Sequence, residues 1–265
     1  MIIDLNEIIA ITKKEFKLSI RFKTAYLLNT FINPVLSIIP LFIIYYGFLH
    51  YGGAEGFAGI NLDNYVTFLV FGVIAQAFFY NGINAFAFRF REEKYWQTIE
   101  TLFLAPINYL SLIIAFGINV ALNLLPLLLI FILIASAFSF ASILNIFLVV
   151  LIILLLLLFC LGIGLIYGAL TLFSENFDPV FRYFFAGWAL LSCFAYPIEI
   201  IPESIRFIVE INPVYHAVNF ARDLWINGIF NLDSFIYVWV FALLMPIIAV
   251  YVFKIAWRRM EVQGY

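Results

Sequence analysis

Long apolar stretches separated by short polar islands run through almost the whole chain. Six of them are long enough to be read as membrane spans: Leu27 to Phe48, Tyr65 to Phe88, Ile107 to Phe138, Ile143 to Phe173, Val180 to Ile198 and Phe235 to Ala256. A helix needs about 20 apolar residues to cross a hydrocarbon core about 30 Å thick. The third and fourth stretches exceed that, so they are expected to tilt or to project beyond the lipid.

Charge is distributed unevenly among the islands. Lys13, Lys14, Lys17, Arg21 and Lys23 precede the first span, Arg89, Arg91 and Lys94 lie between the second and third, Arg182 between the fourth and fifth, and Lys254, Arg258 and Arg259 at the end. Six crossings put these twelve of the fourteen cations on one side. Only Arg206 and Arg222 fall on the other, among Glu55, Asp63, Glu199, Glu203, Glu210, Asp223 and Asp233. The positive-inside rule then places both termini in the cytoplasm.

Composition agrees with this reading: 66% of residues are apolar, 20% aromatic and 11% charged, against about 45–50% apolar and about 25% charged in soluble domains. A water-soluble globule is excluded, and the connections are too short for an appended catalytic domain. The expected fold is an all-α integral membrane protein of the cell membrane, multi-pass, with six transmembrane helices. A net charge of −2 gives no basic surplus for a nucleic-acid partner. No G-x-x-x-x-G-K-[ST] loop occurs, so the chain itself has no Walker-type nucleotide site and no expected cofactor. His50 and His216 lack ligands at metal-binding spacing, and Cys160 and Cys193 sit in apolar stretches, so no metal and no disulfide framework is expected. Scarcity of ionisable residues within the spans argues against an ion-coupled carrier. Asn29, Asn33, Gln76, Asn81 and Asn84 supply the polarity there, as interhelical hydrogen-bonding groups or as ligand contacts. Gly164 and Gly168 form a small-xxx-small pair that would let another helix approach closely.

The N-terminal residues 1–26 show no small-residue cleavage pattern and are expected to be retained. On a helical wheel Lys13, Lys14, Lys17 and Arg21 share one arc, and Leu5, Ile8, Ile9, Phe16 and Ile20 another. This fits either an amphipathic helix in the inner headgroup layer, facing membrane lipid, or a charged flank that sets topology.

Two islands carry the remaining signal. Residues 89–106 hold Glu92, Glu93, Gln97, Thr98 and Glu100 before Pro106; Glu93, Gln97 and Glu100 recur at helical spacing, as a cytosolic docking helix or a solvated loop would have them. Residues 197–231 contain Pro197, Pro202 and Pro213. These divide two short pieces, one with Ile201, Ile205 and Ile208 on a single face and one from Val214 to Trp225 ending in Arg222 and Asp223. Neither piece is long enough to span. A re-entrant helix pair at the outer mouth satisfies the backbone at that depth.

At these islands the chain resembles the permease subunit of ABC-2 type exporters, the family of drug-resistance, nodulation-factor and polysaccharide-export permeases. The matching residues are Glu93-Lys94-Tyr95-Trp96-Gln97-Thr98-Ile99-Glu100-Thr101-Leu102-Phe103-Leu104-Ala105-Pro106-Ile107, with Gln97 where the family has Gly before Thr, and Asn212-Pro213-Val214-Tyr215 followed by Arg222. The resemblance implies an N-in, C-in domain over residues 27–256 with a cytoplasmic tail at 257–265. It also implies a dimer with a second permease copy or paralogue, and a separate ATP-binding cassette ATPase that holds the ATP. Residues 89–106 would be the coupling helix, carrying Glu92, Glu93, Gln97, Thr98 and Glu100. The hairpin 197–231 would be the outer gate, with Pro197, Pro202, Ile205, Asn212, Pro213 and Arg222. The substrate expected from such an exporter is amphipathic, lipid-like or lipid-linked, with an O-antigen-type polysaccharide or a non-transporting scaffold role as alternatives.

Overall fold

The computed structural model describes residues 4–51, 60–61, 63–105, 107–139, 141–174 and 176–263, and its regular elements are all helices. Helix α1, Leu5–Arg21, starts where the Asp4 carboxylate accepts from the Asn6 amide at 2.8 Å, an arrangement that satisfies a first-turn N–H. It stops at Phe22, whose backbone leaves the helical region (φ −101°, ψ 77°). Helix α2, Lys23–Leu27, passes through a π-helical turn, Leu28–Ile32, into α3, Asn33–Tyr51. The division expected between residues 26 and 27 therefore falls inside continuous helix, and the break lies at Phe22.

Helix α4, Tyr65–Tyr95, is followed by short α5, Ile99–Leu104, then α6, Tyr109–Phe138, and α7, Ile143–Phe173. Asn108 and Ser142 cap α6 and α7, accepting from the amides of Leu110 and Asn145. Next come α8, Phe177–Leu190, α9, Glu203–Glu210, and α10, Pro213–Arg222, which tightens into a π-turn at Asp223–Asn227; α11, Leu232–Gln263, is the last. Among the described residues five helical stretches are long and apolar enough to cross a membrane: Lys23–Gly47, Tyr65–Tyr95, Tyr109–Phe138, Ile143–Phe173 and Leu232–Arg258. The expected fifth span, Val180 to Ile198, is instead the 14-residue α8, about 21 Å long at 1.5 Å per residue. It ends in a turn at Leu191–Phe194, where Cys193 has a φ of 53°.

Helix α4 forms the axis of the core and packs tightly on α7. Gly164 and Gly168 of α7 face α4: a Cβ on Gly164 would lie 2.6 Å from the Ile83 carbonyl oxygen, and one on Gly168 2.8 Å from the Phe86 Cβ. Gly82 of α4 returns the contact against Cys160, and Gly162 meets α11 at Met245 and Pro246. Three helices thus approach almost backbone to backbone, as small residues permit where no hydrophobic force separates helix contacts from lipid contacts.

The two ends of the bundle differ. At one end Phe90 stacks on Phe253 at 5.6 Å, Tyr109 lies 6.1 Å from Trp257, Arg91 reaches Asp178 at 2.6 Å, and Arg89 pairs with Glu15 of α1. The four cation-bearing segments of the sequence meet there. At the other end Trp225 donates to the Ser139 hydroxyl at 2.9 Å and Asn145 to the Leu224 carbonyl at 3.2 Å. Helix α8 starts at the first end and α11 at the second, so the chain between Asp178 and Leu232 traverses the bundle once, through α8 and the segments that follow it.

Candidate functional site

The turn between α4 and α5 is a complete helix stop. The Thr98 amide donates to the Glu93 carbonyl at 2.9 Å and the Gln97 amide to that of Lys94 at 3.1 Å, the pair of bonds that closes a Schellman motif around a left-handed residue. That residue is Gln97, with a φ of 56°, a conformation that costs a side-chain-bearing residue about 1–2 kcal/mol. A single helix over 89–106 is therefore corrected: residues 89–95 are the last turns of α4, the chain reverses at Trp96–Thr98, and α5 covers Ile99–Leu104. The break removes the helical register that would align Glu93, Gln97 and Glu100. Thr98 instead folds back, its hydroxyl donating to the Glu93 carboxylate and carbonyl, and its own carbonyl accepts from Thr101 at 2.6 Å. The side chain of Glu100, and Pro106, lie outside the described residues.

This turn is tied to α1. Glu15 is 2% exposed and pairs with Arg89, which also holds Glu92 at 2.6 Å; Lys14 lies 3.9 Å from Glu93. Helix α1 is docked on α6, the Glu7 carboxylate accepting from the Asn108 amide and Asn123 donating to the Ser19 hydroxyl, both at 3.4 Å. On the opposite side of α4, Asp178 accepts from Arg91, Arg182 and the Tyr167 hydroxyl. Burial pushes the Asp178 carboxyl up, but the hydrogen bonds from Tyr167 and Arg182 and the charges of Arg91 and Arg182 outweigh it and hold it below its ordinary value.

The hairpin at the other end has two unequal arms. Helix α10 is sunk in the core, with Pro213, Val214, Ala217, Val218, Phe220, Ala221 and Arg222 buried, whereas α9 buries only Val209 and leaves Ile205 and Ile208 about 41–42% exposed. Pro202 immediately precedes α9 and Pro213 is the first residue of α10. Asn212 is extended (φ −81°, ψ 113°), as a residue before proline must be. Its side-chain oxygen Oδ1 accepts from the Val214 backbone amide and from the Trp188 indole of α8, and its side-chain nitrogen Nδ2 donates to the Leu191 carbonyl and the Ser192 hydroxyl. The break between the arms is thereby fastened to the end of α8. Pro197, Glu199, Tyr215 and Arg222 line a polar cavity of about 300 Å³.

Arg222 pins the hairpin in place through backbone carbonyls. Its guanidinium is 5% exposed and donates to three backbone carbonyls: Phe68 of α4 at 3.2 Å, Cys193 at 2.8 Å and Phe194 at 2.6 Å. It also lies over the Phe68 ring at 3.5 Å, a cation–π contact. Gly72 makes room for it, since a Cβ there would overlap the Phe194 carbonyl and sit 2.7 Å from an Arg222 nitrogen. Sequence singles out Arg222 but not Gly72, Cys193 or Phe194, because carbonyl acceptors leave no mark on residue identity.

The sequence model of the ABC-2 type transporter family matches residues 6–226. Two proteins of Klebsiella pneumoniae, each named O-antigen export system permease protein RfbA, are 22% identical to the chain over 262 and 260 residues, covering 96% of it and 94% of themselves.

Proposed function

Because this chain belongs to the ABC-2 type transporter family, we propose that it is the membrane-spanning subunit of an ATP-binding cassette exporter, driven by a separate ATPase and paired with a second permease copy or a paralogue. The observation that carries the reading is the α4–α5 turn. It is a stiff, capped projection at the end of the bundle where the cation-bearing segments converge, and Glu92, Glu93 and Thr98 are fixed there by Arg89, Lys14 and each other. Such a knob can enter a cleft on a soluble ATPase and carry its motion. The same convergence supports cytoplasmic termini under the positive-inside rule. Six crossings follow when α8 and the hairpin together make the fifth, with α9 and α10 as the re-entrant outer pair.

The chain supplies no hydrolytic chemistry of its own in this reading, and the ATP is bound by the partner. For the substrate, an amphipathic, lipid-like or lipid-linked compound fits a path through so apolar a protein. The names of the two relatives favour the alternative, an O-antigen-type polysaccharide. Co-expression of the tagged chain with its cassette ATPase tests the proposal. The ATPase should co-purify, export from reconstituted vesicles should require ATP, and Glu93→Lys should lower both while leaving the permease in the membrane. Recovery of the permease without any ATPase, together with export that Glu93→Lys leaves unchanged, would sink it.

A further inference from the structure

The cavity of about 300 Å³ behind the hairpin presents mostly polar surface, and much of that surface comes from one helical stripe. Tyr215 and Asn219 of α10, then Asp223 and Asn227 in the π-turn that follows, recur every fourth residue and so share a face. Arg222 joins the same wall, Glu199 lines it from the segment before α9, and Pro197 and Ile226 add apolar surface. The cavity has a buried base and an open rim: Arg222 and Cys193 are buried, whereas Glu199 and Asn227 are exposed.

The base is built before any ligand arrives. Three backbone carbonyls hold the Arg222 guanidinium, Asn219 donates to the Asp223 carboxylate at 2.9 Å, and Asn227 hydrogen-bonds that carboxylate as well. A carboxylate offers about four lone-pair positions, so Asp223 keeps acceptor capacity beyond these two amides. Charge then decides what class of ligand suits the walls. Glu199 and Asp223 repel an anion, and the buried guanidinium repels a metal ion. An uncharged molecule rich in hydroxyls fits both constraints. Its O–H groups donate to the two carboxylates, a hydroxyl oxygen accepts from Tyr215, and its C–H surface rests on Pro197 and Ile226. At about 300 Å³ the cavity lies at the small end of ligand pockets, which run from about 300 to about 1,000 Å³, so it takes a single sugar ring and not a chain.

We propose that this cavity is a binding site for one neutral sugar unit, held by Glu199, Tyr215 and Asp223 at the outer end of the bundle. The inference rests on the export reading for its position outside the membrane and for the source of the sugar, a unit of the exported glycan. Binding is measured without ATP or an ATPase, so its failure and that of the transport reading are distinguishable.

One ring should bind in about the millimolar range, which suits saturation-transfer NMR on the purified full-length chain in detergent. The probes are the methyl α-glycosides of glucose, galactose and mannose, the matching methyl uronides, and the α-linked disaccharide of each sugar. At least one neutral glycoside should show saturable transfer. Its dissociation constant should rise about tenfold in Glu199→Ala and about threefold in Tyr215→Phe, as loss of a charged and of a neutral hydrogen-bond partner requires. Glu203→Ala removes an exposed carboxylate of α9 that does not line the cavity and should leave binding unchanged. Glu199 lies at the rim and Tyr215→Phe keeps its ring, so loss of fold does not obscure both variants. The matching uronide should bind more weakly than the neutral glycoside. A disaccharide that binds at least as well as its monosaccharide supports a unit of a chain as the source, whereas binding of the monosaccharide alone supports a free sugar in the same site. No saturable transfer to any neutral glycoside, transfer that neither variant alters, or a uronide that binds as well as its neutral counterpart would overturn the proposal.

Discussion

Replacing Arg222 by alanine in a chain whose Cys160 is also alanine turns the remaining thiol, Cys193, into a reporter of how firmly the hairpin is held. Cys160→Ala is a mild background change because the Cβ that touches Gly82 is kept. Cys193 is fully buried, and its carbonyl is one of the three that the guanidinium holds. A hydrogen bond from a charged donor is worth about 1.5–3 kcal/mol, and an orphaned buried acceptor costs about 1–3 kcal/mol. Against this, truncation releases the cost of keeping a charge out of water, so the three bonds do not simply add. A net loss of about 3 kcal/mol follows, which raises the population of locally open hairpin about a hundredfold. Maleimide labelling of Cys193 in detergent should accelerate by about that factor. Arg222→Lys should fall between, because an ammonium keeps the charge but cannot span three carbonyls in different directions. If Arg222→Ala labels within about threefold of the parent, local opening is not governed by these bonds and the pinning argument is wrong.

Further outcomes are expected elsewhere. Gln97→Gly removes a left-handed strain of about 1–2 kcal/mol at the cost of about 0.5–1 kcal/mol in chain entropy, so thermal stability should rise by up to about 1.5 kcal/mol; a fall would mean the Gln97 side chain makes a contact that outweighs the strain. Gly164→Leu must push α4 from α7 against the Ile83 carbonyl and should cost about 3 kcal/mol or more, read as loss of monodisperse protein. Gly187→Ala, where a Cβ meets nothing within 4 Å, should be silent, and equal behaviour of the two would contradict the packing described. Asp178 has a depressed carboxyl, so its stabilisation is present above the ordinary carboxylate pKa and is lost as pH falls through the folded value. Asp178→Asn should cost about 1 kcal/mol at neutral pH and flatten the stability profile over about pH 5 to 3; an unaltered acid profile would show that other groups set it.

Much of this architecture is legible in the residue pattern because apolar length and capping residues are local signals. Ile143 to Phe173 is read with its observed limits, since Ser142 and Ser174 bracket an uninterrupted apolar run. The ends of α8 are not legible, because the turn that stops it is built from Leu191, Ser192, Cys193 and Phe194, residues that in a hydropathy profile simply continue a span. Nor is the break at Phe22, where an apolar residue stands in a non-helical conformation with no proline or glycine to announce it. At Gln97 the family resemblance identifies the position, and the reason for its usual glycine emerges only with the backbone angle. Glu15 illustrates the remaining gap: nothing in its neighbours Lys13, Lys14 and Lys17 marks it for burial, and its partner Arg89 is far away in the chain. The reach of Gly164 and Gly168 toward Gly82 is likewise a relation between positions far apart in the chain.

The length of α4 has a mechanical meaning. Its first turns touch the hairpin through Phe68 and Gly72, and its last turn carries the Gln97 stop, with about 40 Å of unbroken helix between them. Seams with glycine at Gly82, Gly164 and Gly168 hold it against α7 without the yielding layer of side chains that would let one helix slip over another. A push delivered at the Gln97 end is therefore not absorbed on the way. Under the proposed coupling it would arrive at the carbonyl that Arg222 grips as the displacement of a rod, so that the two ends of the protein would keep common time.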